Sequence, residues 1–215
     1  MEPERIADYL HSLEREEDDL LKEMRAYAVE HDVPIVRRET ESFLRTVAAM
    51  VKPAETLEIG AAIGYSTVVL GRLSERVTTI ENYEKRIPVA LSNIEKAGLS
   101  GKVTLIPEDA GAVLRRLVSE GRKYDLIFLD AAKGQYLIWL PDILLLMKEG
   151  SVLLSDNVLQ DNTVMESRFT VDRRDRTTHA RMRDFLYELK HLPCLTSSVL
   201  PVGDGVAVSV YRETD

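Results

Sequence analysis

The sequence predicts a doubly wound α/β fold with a mostly parallel sheet, and three observations carry that expectation. Strand-like and helix-like segments alternate from residue 56 to residue 191, the pattern of βα units stacked into one sheet. The run YDLIFLD (124–130) is almost continuously apolar, as in a parallel strand covered on both faces. Polar residues collect where the strands end, at Glu58, Glu81, Asp109, Asp130, Asp156 and Asn157, and such sheets bind ligands at the carboxyl ends of their strands.

The elements follow in order. Residues 4–30 carry apolar side chains at helical spacing and predict one helix, broken by HDVP (31–34) because the residue before a proline avoids helical dihedrals. Residues 38–51 predict a second helix. Strands are expected at 56–59, 77–81, 103–107, 124–130 and 151–156, with helices at 65–74, 84–97, 110–120, 135–148 and 174–191. Gly98 and Gly121 stop two of these helices. Residues 194–200 and 205–211, joined by PVGDG, predict an antiparallel pair. The organisation expected is a helical cap of one domain at 1–52 and its main body at 53–215.

A chain of 215 residues with 45% hydrophobic and 30% charged residues suits one globular domain and excludes a disordered, fibrous or disulfide-built protein. Its apolar runs, such as ILLLM (143–147), fall far short of the roughly 20 residues of a membrane span. The acidic start predicts no secretory signal, and the single cysteine, Cys194, allows no internal disulfide, so a cytoplasmic location is expected. The formal charge of −8 is unevenly spread: residues 1–32 hold 11 acids and 4 bases, and the remainder 25 acids and 24 bases. Near-neutral bulk leaves room for a local basic patch, and residues 168–183 supply one, with six arginines against Asp172 and Asp175.

The first strand runs into Glu58-Ile-Gly60-Ala-Ala-Ile-Gly64-Tyr65-Ser66. Glycines there let the backbone approach a ligand, and the helix that follows presents its N-terminus. Glu81 closes the second strand, 21 residues after Gly60, where a carboxylate can take both hydroxyls of a ribose. Asp109, at the end of the third strand, can meet a base or the other ribose edge. The pocket is thus one for a nucleoside, either a dinucleotide or S-adenosylmethionine (SAM). The turn departs from G-x-G-x-x-G, and Glu58 would repel a pyrophosphate but suit a cationic ligand, which favours SAM.

Asp130-Ala-Ala-Lys133 ends the fourth strand and Asp156-Asn157 the fifth. On neighbouring strands these converge, and two carboxylates with an amide are hard oxygen donors suited to Mg²⁺. Lys133 can reach an oxygen bound there, and burial beside a cation is expected to lower its pKa into the range of a working base. Trp139 is expected to pack in the core.

At these residues the sequence resembles the cation-dependent SAM O-methyltransferases related to catechol and caffeoyl-CoA O-methyltransferases, over nearly the whole chain. LEIGAAIGYS (57–66) matches the family's first turn, DAAK (130–133) its metal-and-base motif, and Asp156-Asn157 its second metal motif. The resemblance implies a Rossmann-like class I SAM-methyltransferase fold, with a seven-stranded, mostly parallel sheet, a C-terminal antiparallel hairpin and N-terminal helices. It implies Glu58, Gly60, Tyr65, Ser66, Glu81, Asp109, Ala110 and Asp130 at the SAM site. It further implies Asp130, Asp156 and Asn157 as ligands of Mg²⁺ (or Mn²⁺ or Ca²⁺), Lys133 as general base, and a homodimer. Within the family, HDVPI (31–35), DAAKGQY (130–136), SDNVL (155–159) and PVGDGVAVS (201–209) look most like the bacterial tRNA 5-hydroxyuridine methyltransferases, which make 5-methoxyuridine at the wobble position. That likeness implies tRNA as partner, with Arg37, Arg38, Arg173, Arg174 and Arg176 as RNA contacts. A small catechol-like acceptor uses the same catalytic residues and stays open as the alternative.

Overall fold

The computed structural model describes residues 3–14, 18–159, 163–167 and 169–213. Three helices lead, α1 (Pro3–Leu13), α2 (Asp19–Glu30) and α3 (Arg38–Val51). The alternating part follows as β1 (Glu55–Ile59), α4 (Tyr65–Leu73), β2 (Arg76–Ile80), α5 (Ile87–Lys96), β3 (Val103–Ile106) and α6 (Ala110–Ser119). It continues as β4 (Leu126–Leu129), α7 (Tyr136–Leu145), β5 (Val152–Ser155) and α8 (Arg176–His191), and ends in the hairpin β6 (Leu195–Leu200) and β7 (Val206–Tyr211).

The strands lie in the order β3-β2-β1-β4-β5-β7-β6. β1 to β5 run parallel, and β7 is antiparallel to both β5 and β6. Side chains alternate across the sheet as strand geometry requires. Ile59, Ile127, Leu129 and Leu153 join Val113, Leu140 and Phe185 from α6 to α8 on one face. Leu126, Phe128 and Leu154 join Leu44, Val68 and Ile94 from α3 to α5 on the other. Both faces are covered, which is why the strands read as unbroken apolar runs. No helix among the described residues is long and apolar enough to cross a membrane.

One expected element is corrected. The single helix over residues 4–30 is two helices, α1 and α2. Asp18 restarts the chain by capping α2, its carboxylate accepting from the Leu21 amide at 3.2 Å. The charged run 14–19 holds no apolar residue to carry a helical stripe across the break, and its residues 15–17 lie outside the described residues.

The register places the site. Ile59 pairs with both Ile80 and Leu129, and Leu129 pairs with Ser155. The next residue on each strand keeps one more rung of the ladder. The amides of Gly60, Asp130 and Asp156 donate to Ile80, Ile59 and Leu129 carbonyls, each at 3.0 Å. Glu81 does the same to Ile106 at 3.2 Å. Four residues of chemical interest thus stand at one level, on either side of the β1/β4 junction where the strand order reverses. That is the switch point at which open α/β sheets bind ligands.

Candidate active site

A cleft of about 910 Å³ opens over these strand ends. Its floor is the turn after β1. Gly60 has φ +104°, and a Cβ there would stand 2.0 Å from the Asp130 carbonyl oxygen, so only glycine fits. Glu81 ties the turn to the end of β2: one carboxylate oxygen accepts from Ala62 N at 2.8 Å, the other from Asn82 N and Tyr83 N at 2.9 and 2.8 Å. Ser66, Asp109 and Ala110 also line the cleft, and Asp109 caps α6 through the Ala112 amide at 3.0 Å. Trp139 packs in the core as expected, with an edge at the cleft wall. A tight glycine turn, a carboxylate at the end of β2 and a helix N-terminus beside an indole form a cradle that fits a nucleoside.

Two residues expected at the cofactor site turn elsewhere. Glu58 is fully buried and is not among the residues lining the cleft. Its carboxylate receives the hydroxyls of Thr67 and Thr79, the latter at 2.5 Å. Burial pushes it up to about 7, against the lowering effect of those hydroxyls. Glu58 therefore braces the turn from beneath. Tyr65 borders the cleft, but its hydroxyl donates to Glu41 at 2.7 Å and accepts from Arg25 at 2.6 Å, so its side chain ties α4 to α2 and α3.

The β4 and β5 ends come together as the sequence suggested. Lys133 donates from Nζ to Asp130 Oδ1 and to the Tyr136 hydroxyl, both at 2.9 Å. Tyr136 is fully buried and donates to the Leu129 carbonyl at 3.0 Å. Asp156 is buried, and its Oδ1 accepts from Asn157 N at 2.8 Å and Thr40 Oγ1 at 3.4 Å. Burial, then the charge of Asp130, lifts it to about 7. Asn157 lines the cleft with φ +55°, a left-handed conformation that asparagine tolerates.

The expected lowering of Lys133 is corrected. Burial does press its ammonium down, but Tyr136 and Asp130 outweigh it and hold the pKa above the ordinary lysine value. Among the described residues no three His, Cys, Asp or Glu side chains cluster as a metal set. The available set is two carboxylates and an amide. By its donor chemistry this set of hard oxygen ligands fits a hard divalent cation.

Asp204 was missed at the sequence level. The PVGDG turn read only as a hairpin connection, yet it delivers Asp204 to the cleft, 2.9 Å from Arg37 Nε. Both flanking glycines are required there: a Cβ on Gly203 would meet Thr40 Oγ1 at 2.7 Å, and one on Gly205 would meet Leu159 at 2.3 Å. Of the five arginines expected to contact RNA, Arg37 lines the cleft. Arg38, Arg173, Arg174 and Arg176 do not. Arg176 donates to the Val171 carbonyl at 3.1 Å, and Arg174 lies 3.4 Å from Asp175. Arg168, the first arginine of the basic run, lies outside the described residues.

Comparison with known proteins matches residues 11–212 to a family described as O-methyltransferase. A catechol O-methyltransferase of Niastella koreensis is 31% identical over 173 residues, which cover 78% of this chain and 78% of that protein. A caffeoyl-CoA O-methyltransferase 2 of Petunia hybrida is 30% identical over 208 residues, covering 89% of this chain and 83% of that one. The crystal structure of an O-methyltransferase from Bacillus cereus in complex with SAH superposes with a TM-score of 0.86 at 26% identity, covering 97% of each chain. The switch-point cleft with its glycine turn, the seven-stranded order and a match over nearly the whole length agree: this chain belongs to the O-methyltransferase family, enzymes that move a methyl group from SAM to an oxygen atom.

Proposed function

We propose that the protein is a SAM- and divalent-cation-dependent O-methyltransferase that methylates 5-hydroxyuridine at the wobble position of tRNA. The observation that carries the chemistry is the convergence of Asp130, Lys133, Asp156 and Asn157 beside the Gly60 turn. When bound, SAM supplies an electrophilic methyl group, and a cation held by Asp130, Asp156 and Asn157 supplies charge that favours a deprotonated acceptor oxygen. The protein's own residues do the rest. Gly60 and Glu81 seat the nucleoside, and Glu58 fixes the turn from below. Lys133 Nζ, positioned by Tyr136 and Asp130, reaches the acceptor hydroxyl and steers its proton. Tyr136 cannot drift, because its hydroxyl is engaged by Lys133, the Ala131 amide and the Leu129 carbonyl. Positioning of the oxygen against the methyl group supplies much of the remaining acceleration.

Support for a tRNA acceptor comes from the motifs at 31–35, 130–136, 155–159 and 201–209, and from a basic segment joined to the Lys133 turn by a hydrogen bond from Arg181 to the Gly134 carbonyl at 3.0 Å. Action in the cytoplasm, where tRNA is modified, and pairing of two copies belong to the same reading. Exposed Ile6, Tyr9, Leu10 and Leu13 of α1 support the pairing. A second reading, a catechol-like acceptor, is favoured by the 31% identity to a catechol O-methyltransferase. Labelled-methyl transfer from SAM to tRNA bearing 5-hydroxyuridine and to a simple catechol, side by side, separates them. Efficient Mg²⁺-dependent labelling of the tRNA is expected, and labelling of the catechol alone would discard the RNA acceptor.

A further inference from the structure

Phe169 is 86% exposed, the most exposed large apolar side chain among the described residues, and Met165 nearby is 68% exposed. An isolated surface hydrophobe needs no explanation. Around this one, backbone carbonyls on both sides accept from arginines. Arg176 donates to the carbonyls of Val171 at 3.1 Å and Phe169 at 3.5 Å. Arg183 donates to the Glu166 carbonyl at 3.3 Å, and Thr170 closes its own turn onto Ser167 at 2.7 Å. Two guanidiniums are thus spent on shaping the backbone that presents the ring. Neither covers the ring face, since the cation–ring contacts among the described residues lie elsewhere.

The described residues that flank the ring in sequence carry both signs, Arg173, Arg174 and Arg176 with Glu166, Asp172 and Asp175. Arg173 has no ion-pair or hydrogen-bond partner among the described residues, and Arg174, 83% exposed, is only loosely offset by Asp172 and Asp175 at 3.9 and 3.4 Å. The location also bears on the reaction. The Val164 amide donates to the Leu159 carbonyl at 3.5 Å, two residues beyond Asn157. At the far end, α8 rests on the turn after Lys133: Arg181 binds the Gly134 carbonyl, and a Cβ on Gly134 would lie 3.4 Å from Thr178 Oγ1. Described residues on either side of Phe169 thus touch the chain just past Asn157 and just past Lys133.

We propose that Phe169 is a stacking platform for an unpaired base of the RNA loop that presents the acceptor, with Arg173 and Arg174 taking the adjoining phosphates. The inference rests on the tRNA reading above and names the contact that holds the loop. An exposed aromatic face four residues before Arg173, which has no partner among the described residues, matches single-stranded nucleic acid, because every base has a face to stack and the backbone supplies the charge. An uncharged protein partner would leave Arg173 without a role.

The test is fluorescence anisotropy of a labelled RNA stem-loop, with 5-hydroxyuridine in its loop, titrated with the full chain saturated with S-adenosylhomocysteine. Phe169→Ala is expected to weaken binding by roughly 5- to 150-fold, the range for loss of one stacked base, while Phe169→Trp binds as wild type or tighter. Arg173→Ala is expected to lower the slope of log affinity against log salt by about one. Because Phe169 packs against so little, the Ala variant keeps its S-adenosylhomocysteine affinity, which shows an intact fold. Tight binding by wild type and by Phe169→Ala alike would overturn the platform and leave the tRNA acceptor standing. Equal weakening by Ala and Trp would also overturn it, since stacking would then not be the cause. No binding by wild type at low salt would overturn both.

Discussion

At the scale of single residues, burial decides what each acid can do. Glu58 and Asp156 are both lifted to about 7, yet for different purposes. Asp156 stands at the edge where a cation would offset Asp130, whereas Glu58 is sealed beneath the turn among hydroxyls. The consequence for Glu58 is a pH dependence of stability. Its folded pKa lies above the ordinary carboxylate value, so its contribution is full below about 4.5 and is lost as pH rises through about 7. Glu58→Gln is expected to remove that loss, which is on the order of 3 kcal/mol from a shift of this size. Chemical denaturation of both proteins between pH 5 and pH 8 checks it. Wild type should weaken more steeply than the variant, and parallel curves would mean that Glu58 carries its charge in the folded protein.

At the scale of elements, the strand ends set the precision of the site. Gly60, Glu81, Asp130 and Asp156 each extend the ladder by one rung, so their positions are inherited from the sheet. Gly60 is the tightest point, because its missing Cβ leaves room only for the Asp130 carbonyl. Gly60→Ala is expected to lower stability by roughly 1–3 kcal/mol, as overpacking does. It should also weaken SAM binding at least tenfold, read by calorimetric titration and thermal melting. Affinity unchanged from wild type would show that the turn does not cradle the ligand. These strands were legible in the sequence because parallel strands covered on both faces appear as apolar runs that end in polar residues. The split between α1 and α2 was not, since Glu, Arg and Asp continue a helix locally and Asp18 acts as a cap through a restart of the chain. The side to which Glu58 turns was hidden for a related reason. In a strand apolar on both faces, alternation does not mark which face a lone acid takes.

At the scale of the whole molecule, the site is assembled from distant parts of the chain. Thr40 from α3 reaches Asp156 at 3.4 Å, Arg37 at the start of the same helix pairs with Asp204, and Tyr65 locks α4 to Glu41. The N-terminal helices are thereby tied to both the turn and the carboxylate edge. The carboxylate set was readable because its members lie at the ends of neighbouring strands. Asp204 was not, because only folding brings the last hairpin turn to Arg37, 167 positions earlier in the sequence. The proposed chemistry requires the β4/β5 edge to work through a divalent cation. The most direct measurement is methyl transfer by wild type and Asp156→Ala, with S-adenosylhomocysteine affinity measured in parallel, across a Mg²⁺ titration that starts from chelator-treated protein. Wild-type turnover should be absent with chelator and restored by Mg²⁺. Asp156→Ala should stay inactive at every Mg²⁺ concentration while binding S-adenosylhomocysteine within a few-fold of wild type. Full turnover by wild type in chelator, or by Asp156→Ala in Mg²⁺, would contradict the claim.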